Sequence, residues 1–301
     1  MRESWNRDVE LAAPVPPFRR FQLIVSYYGP AHYGWQRQDS KSVEDKSVQC
    51  FIEKAIRRIS GDAAAVYGSG RTDSGVHAIA QCAHFDSPSI SMDEETLRRA
   101  LNANLPNTIR INQVIERFDA FHARFSTLLR EYEYIMKDDV RWMPFDEGRA
   151  WHLRRLPDAG VLNRMHRFLL GEDVDFTAFD FSKLDDGHSQ KRDIFRSEFE
   201  MLPDRLVFAI TGNAFLYHMV RSIVGTSVRL ALKYPAEEAI RRFAAFFSKD
   251  SDGDAGLSRA SAKAEMIAPA HGLYLKRIIY DESKYSSMRS LLSHGGLPER
   301  F

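Results

Sequence analysis

Cysteine is scarce in this 301-residue chain: there are two, Cys50 and Cys82, in apolar segments with no CxxC and no Cys/His spacing. That excludes a disulfide framework, gives no zinc signature and fits a reducing compartment. Long apolar runs are missing too; none approaches the roughly 18 residues of a membrane span. The opening MRESWNRDVE carries acids where a signal or transit peptide avoids them. The expectation is a cytoplasmic protein without membrane association. An excess charge of one sign is also absent, with 42 Lys plus Arg against 41 Asp plus Glu. No global field therefore points to a polyanionic partner, and a nucleic-acid face would require segregated charge. Adjacent arginine pairs such as Arg57-Arg58 and Arg241-Arg242 are individually explained as solvated helix faces.

What the chain does have is GSGRTDSGVHA, Gly68 to Ala78, with three glycines, an arginine, an aspartate and a histidine in eleven residues. A phosphate-cradling GxGxxG loop must open a helix, whereas the residues after Asp73 alternate as a strand. An aspartic protease needs two carboxylates sharing a proton, hence two Asp-Ser/Thr-Gly triplets or a small β-rich homodimer. One triplet occurs here, in a mixed pattern. Two readings stay open. Asp73 is a carboxylate nucleophile beside Arg71, ionised at neutral pH and needing only orientation, or it caps amides in a turn with Arg71 solvated.

Periodicity organises the rest. The prolines of AAPVPP make residues 1–19 an extended arm. FQLIVSYY suits a strand; Val48, Phe51, Ile52, Ala55, Ile56 and Ile59 recur at helical spacing before Gly61. AAVY and HAIAQCAHF read as strands, Ser91 with Glu94 as a capping box opening a helix to about Asn102, and TIRINQVIERF as a strand. This β-α-β-β-α-β order is a split βαβ, ferredoxin-like unit. It recurs: EYEYIMK, a helix over Val161 to Leu169, a DIFRSEFEML/RLVFAIT hairpin turning at Pro203-Asp204, helices over Leu216–Leu232 and Glu237–Phe247, and the strand GLYLKRIIY. The expected fold is α+β. Two ferredoxin-like units, residues 20–125 and 126–282, form one continuous, mainly antiparallel sheet with helices on one face and an active-site cleft across the other. A tail, 283–301, follows. Residues 177–191 and 248–269 are polar and long for loops, which suggests function or insertion.

Several segments, in order, carry a family resemblance: YYGPAHYGWQRQ, GSGRTDSGVHA, LNANLP, FHARFS, NAFLYHMVRSIVG and APAHGLYL. The chain resembles the tRNA pseudouridine synthase A family over roughly residues 20 to 280, departing from its usual motif at Ser74, where the family has alanine. The resemblance implies isomerisation of uridine to pseudouridine at positions 38, 39 and 40 of the tRNA anticodon stem-loop. It implies a homodimer, no cofactor and no metal. The target nucleotide is flipped from its stack so that the base can be held while its glycosidic bond breaks and reforms through carbon.

By the same resemblance Asp73 is the nucleophile, Tyr132 stacks on the uracil and assists proton removal from carbon, and Arg221 pairs with Asp73. An arginine among Leu216, Val220, Ile223 and Val224 also demands an acidic partner on physical grounds. Leu273 and Leu275 are the apolar wall for the base, or core residues, or both. Arg71, His77, Gln36, Arg37 and Arg192 are expected to contact RNA. Asp185-Asp186-Gly187 would repel phosphate, which argues against RNA contact by that part of the 177–191 loop. The rival readings are a catalytically idle RNA-binding protein, which needs none of the Asp73, Tyr132 and Arg221 set, and an aspartyl hydrolase, which lacks its second triplet.

Overall fold

The strand β1 (Arg19–Tyr27) sets the architecture: Phe21, Leu23, Val25 and Tyr27 are buried in the main core. The computed structural model describes residues 12–37, 45–117, 120–182, 189–247, 264 and 266–280. Residues 1–11 of the expected arm, 183–188 and 248–263 of the long polar segments, and the tail lie outside the described residues.

The helix α1 (Val48–Ser60) buries Val48, Cys50, Ile52, Ala55 and Ile56. The Ser47 hydroxyl caps it by accepting from the Cys50 N–H, and Gly61 ends it at φ 79°, a left-handed conformation open to glycine. Next come β2 (Tyr67–Gly68), β3 (His77–Ser87), α2 (Glu94–Ala103) and β4 (Ile109–Arg117). The second half contains β5 (Thr127–Asp138), β6 (Trp151–Leu153), α3 (Ala159–His166), β7 (Gly171–Asp175), β8 (Lys191–Leu202), β9 (Arg205–Gly212), α4 (Met219–Lys233), α5 (Ala236–Ala244) and β10 (Leu273–Tyr280).

Among the described residues ten strands form one sheet in the order β4-β1-β3-β10-β5-β9-β8-β7, with β2 on β3 and β6 on β5. In each half the first strand lies between two later ones, β1 between β4 and β3 and β5 between β10 and β9, as a ferredoxin-like unit requires. The halves meet where β10 runs parallel to β3, Tyr274 opposite His77 and Leu275 opposite Ala78. Apart from this joint and the short β5/β6 pair, the pairings are antiparallel. The α+β class and the single large sheet are as expected.

Three details differ. The α2 cap is Asp93, whose carboxylate accepts from the Thr96 N–H; the Ser91–Glu94 box does not form. β6 and β7 carry no strand signal, because three to five residues hold a strand only through their neighbours. The third concerns the cleft. Tyr132, Tyr134 and Met136 alternate along β5 into the core that the helices cover, and Arg221 stands on α4 itself. The expected site residues therefore gather on the helix-bearing face, not on the opposite one. There α1 packs with α2, and α3, α4 and α5 pack with one another, over the two halves of the sheet.

Candidate active site

The loop between β2 and β3 is held along nearly its whole length. The Ser69 N–H donates to the Cys82 carbonyl at 2.8 Å, the Ser69 hydroxyl to Gln81 Oε1 at 3.2 Å, and Gln81 Nε2 to the Gly70 carbonyl at 2.8 Å. Thr72 shares a 2.7 Å hydrogen bond with the Tyr27 hydroxyl and accepts from the Trp35 N–H at 3.1 Å through its carbonyl. The Val76 N–H closes the turn on the Asp73 carbonyl at 3.1 Å, with Gly75 at φ 84°. Glycine is also required at Gly68, where a Cβ would lie 2.3 Å from the Trp35 Nε1. Asp73 thus sits on a fixed backbone.

Its side chain, 23% exposed, meets the second half of the chain. Arg221 Nη1 donates to Asp73 Oδ2 at 2.7 Å while its Nε donates to the Ala268 carbonyl at 2.9 Å. The ion pair expected for a half-buried arginine is present. His218 Nε2 lies 3.3 Å from the same Oδ2. Among the described residues Asp73 Oδ1 has no hydrogen-bond partner. The carboxylate is gripped by one oxygen and presents the other.

Tyr132 is buried, with its ring edge-to-face on Phe215 at 5.2 Å. Burial first, and then the Asp73 charge, push its phenol up to about 12, against a lowering effect of Arg130. Asp73 and Tyr132 therefore act on each other electrostatically. Leu275 and Leu273 stand opposite Tyr132 and Tyr134 across the β10/β5 pair, and both leucines are core residues. Tyr134 donates its hydroxyl to the Pro269 carbonyl at 2.7 Å, fixing the segment whose Ala268 carbonyl anchors Arg221.

The expected RNA contacts divide. Arg71 is exposed beside Asp73, and its charge acts, with that of Arg130, on Arg124. Gln36 and Arg37 are exposed in the turn after Trp35, and Arg37 Nη1 lies 3.5 Å from Glu53 Oε2. Arg192 donates from Nη1 to the Ser189 and Lys191 carbonyls at 2.5 and 2.6 Å, on β8 next to the edge strand β7, and is not drawn to Asp73 by these bonds. For His77 the expectation is corrected. It is 3% exposed, Nδ1 accepts from the Gly29 N–H at 3.2 Å, and Nε2 reaches the Gly148 and His271 carbonyls at 2.9 and 3.2 Å. Its ring stacks on Tyr274 at 4.3 Å, and burial pulls its pKa down to about 4. It is a neutral strut where β3 meets β10.

Two residues of the site escape sequence reasoning. Arg130 donates from Nη2 to the Ser69 carbonyl at 2.8 Å and from Nη1 to the Asn213 carbonyl at 2.6 Å, clasping the Asp73 loop to the approach to α4. Its only sequence signal is its place just before EYEYIM. His218 is visible as the histidine of LYHMVR, but nothing in the letters turns it toward Asp73. Among the described residues no group of three or more His, Cys, Asp or Glu side chains could hold a metal ion. No helix there is long and apolar enough to cross a membrane.

A family model described as tRNA pseudouridine synthase matches residues 23–126 and 167–281, more than half of the chain. The tRNA pseudouridine synthase A of Brachyspira hyodysenteriae is 36% identical over 262 residues, covering 87% of this chain and 98% of its own. That of Treponema denticola is 38% identical, covering 86% and 92%, and that of Chlamydia felis 33%, covering 87% and 92%. Among solved structures, a chain of a Cbf5-Nop10-Gar1 complex aligns over 72% of this chain and 54% of its own at 10% identity, with a TM-score of 0.30.

Proposed function

The chain belongs to the tRNA pseudouridine synthase family, and from that premise we propose that Asp73 is the nucleophile with which it isomerises uridine in the anticodon stem-loop of tRNA, at positions 38, 39 and 40. The observation that carries this reading is the asymmetry of Asp73, with Oδ2 held by Arg221 and Oδ1 unpartnered among the described residues. A carboxylate attacks through an unencumbered lone pair, and a fixed backbone with a rigid guanidinium aims it without loss of its charge.

In this reading the target nucleotide leaves its stack and enters the space over β3, β10 and β5 between the two groups of helices. Asp73 Oδ1 forms a covalent bond to the substrate, at the base or at the sugar carbon. The bond from nitrogen to the sugar breaks, the uracil turns, a carbon bond to the sugar forms, the proton on that uracil carbon passes to solvent, and the freed ring nitrogen takes up a proton in its place. Asp73 is released unchanged. A phenol pushed up to about 12 is protonated at neutral pH. Tyr132 therefore meets the uracil as a packed ring and a hydrogen-bonding hydroxyl rather than as phenolate. Leu273 and Leu275 back it from the next strand.

Residues 20–125 supply Asp73 and 126–282 supply Tyr132 and Arg221, so neither unit holds the site alone. Arg71, Gln36 and Arg37 are the contacts for RNA phosphates, with a salt-dependent affinity. A homodimer and a cytoplasmic location complete the proposal, as for a tRNA-modifying enzyme whose subunit has a net charge near zero. The test is tritium release from carbon five of uracil in a labelled tRNA transcript, with the modified positions mapped afterwards. Release from the anticodon stem-loop uridines supports the reading. No release above a heat-killed control returns the protein to the class of RNA-binding proteins without catalysis.

A further inference from the structure

We infer that His218, as a neutral imidazole donating from Nε2, is a second positioning residue for Asp73. The inference rests on the reading of Asp73 as nucleophile. His218 is one of two described non-glycine residues with positive φ, at φ 61°, immediately before α4. That conformation is costly for a histidine and persists only where the surroundings enforce it. Here it turns the ring back toward the β2/β3 loop, with Nε2 3.3 Å from Asp73 Oδ2. The Tyr217 ring, 54% exposed, covers it at 3.8 Å and 24°.

The other ring nitrogen fixes the proton. Nδ1 is buried and has no hydrogen-bond partner among the described residues. An orphaned buried N–H costs more than an orphaned lone pair, and a carboxylate oxygen needs a donor facing it. The proton therefore sits on Nε2, and Nδ1 is bare. A doubly protonated ring would bury an unpaired N–H and add a second positive charge to the one Arg221 already brings to Asp73. Burial is also the leading influence on this histidine and opposes its charge, with Arg221 acting in the same sense and Asp73 against.

The consequence is chemical. Arg221 hydrogen-bonds Oδ2 from the first turn of α4, and His218 Nε2 stands 3.3 Å from the same oxygen from the residue just before that helix, so two groups from one short segment, three residues apart, hold the carboxylate against rotation. Rotation would exchange Oδ1 and Oδ2 and put the gripped oxygen toward the substrate. His218 keeps the free oxygen in place without adding a second positive charge.

The discriminating experiment compares His218→Gln, whose side-chain amide can place a donor near the Nε2 position, with His218→Phe, which keeps a stacking ring and donates nothing. Turnover and KM are measured on a tRNA transcript, with Tm measured in parallel. The expected result is a kcat about ten- to a hundredfold lower for His218→Phe, the scale of one lost hydrogen bond to a charged group. KM and Tm stay near those of the unaltered protein, and His218→Gln recovers most of kcat. Unchanged kcat in His218→Phe, or equal losses in both variants, overturns the inference, as does a loss that follows Tm. Asp73→Asn is run beside them. If it is inactive while His218→Phe is fully active, His218 alone is misassigned; if Asp73→Asn is itself active, the nucleophile reading is what fails.

Discussion

Arg221 and Asp73, 148 residues apart in sequence, are joined by a 2.7 Å bond from Nη1 to Oδ2. The same guanidinium spends its Nε on the Ala268 carbonyl at 2.9 Å, so its fork is set by the backbone before it touches the carboxylate. A lysine carries the charge but cannot serve both acceptors in that geometry. Arg221→Lys is expected to lower kcat by about ten- to a hundredfold, as for the loss of an aligned charged hydrogen bond, with tRNA affinity nearly kept. Steady-state kinetics check this, and wild-type kcat would show that the fork is dispensable.

Tyr132 separates packing from hydroxyl chemistry. Tyr132→Phe keeps the ring against Phe215 and should change stability by less than about 1.5 kcal/mol, while turnover falls by about tenfold, the scale of one lost hydrogen bond to the substrate. Tyr132→Ala should cost about 3–5 kcal/mol as a large core truncation. Urea denaturation and tritium release, measured on both variants, distinguish the two losses.

Acid should destabilise the protein before the carboxylates protonate. Burial is the first cause lowering His77 and His122 to about 4 and His84 and His166 to about 3, whereas in the unfolded chain each titrates near 6.5. Between about pH 6.5 and 4 the unfolded state binds protons that the fold refuses, so stability is complete above that window and falls as pH drops through it. Each histidine adds up to about 1.4 kcal/mol per pH unit. His166 is bracketed by the Ser197 and Ser227 hydroxyls, both at 2.8 Å, and His166→Gln should make the slope of unfolding free energy against pH shallower by about one proton. An unchanged slope in urea titrations at pH 6 to 4 would count against its buried, neutral state.

Gly68→Ala should disturb the site from behind. The added Cβ would meet the Trp35 indole at 2.3 Å, and relieving that overlap costs typically about 1–3 kcal/mol. Both neighbours belong to the framework that holds Thr72 and Asp73, so kcat should fall together with Tm. A variant with normal Tm and kcat would mean that this framework yields without consequence.

What the letters disclose follows how local the cause is. The α1 boundary is legible because Gly61 takes a left-handed conformation after an amphipathic run, and the β8/β9 hairpin because Pro203-Asp204 punctuates two strands. β6 is not legible: Trp151–Leu153 is a strand only by lying parallel to Met136–Asp138. The Arg221 need for an acid can be read from its apolar neighbours, but His218 depends on a positive φ that histidine does not advertise. His77 sits in a glycine-rich motif that looks functional, and its burial comes from carbonyls at Gly148 and His271, distant in sequence. The face that carries the site is misjudged for a similar reason: strand alternation shows that two faces exist, and only the placement of α4 shows which one receives Arg221.

The central claim, that Asp73 is the nucleophile on a site otherwise built for binding, is tested most directly by Asp73→Asn. The substitution keeps the side chain's shape and removes its charge. Tritium release from carbon five of uracil is measured under single-turnover conditions, with enzyme in excess and with tRNA affinity determined on the same preparation. The account predicts no release above background with affinity within a few-fold of the unaltered protein, because binding rests on phosphate contacts. Substantial release by the Asp73→Asn variant would contradict it.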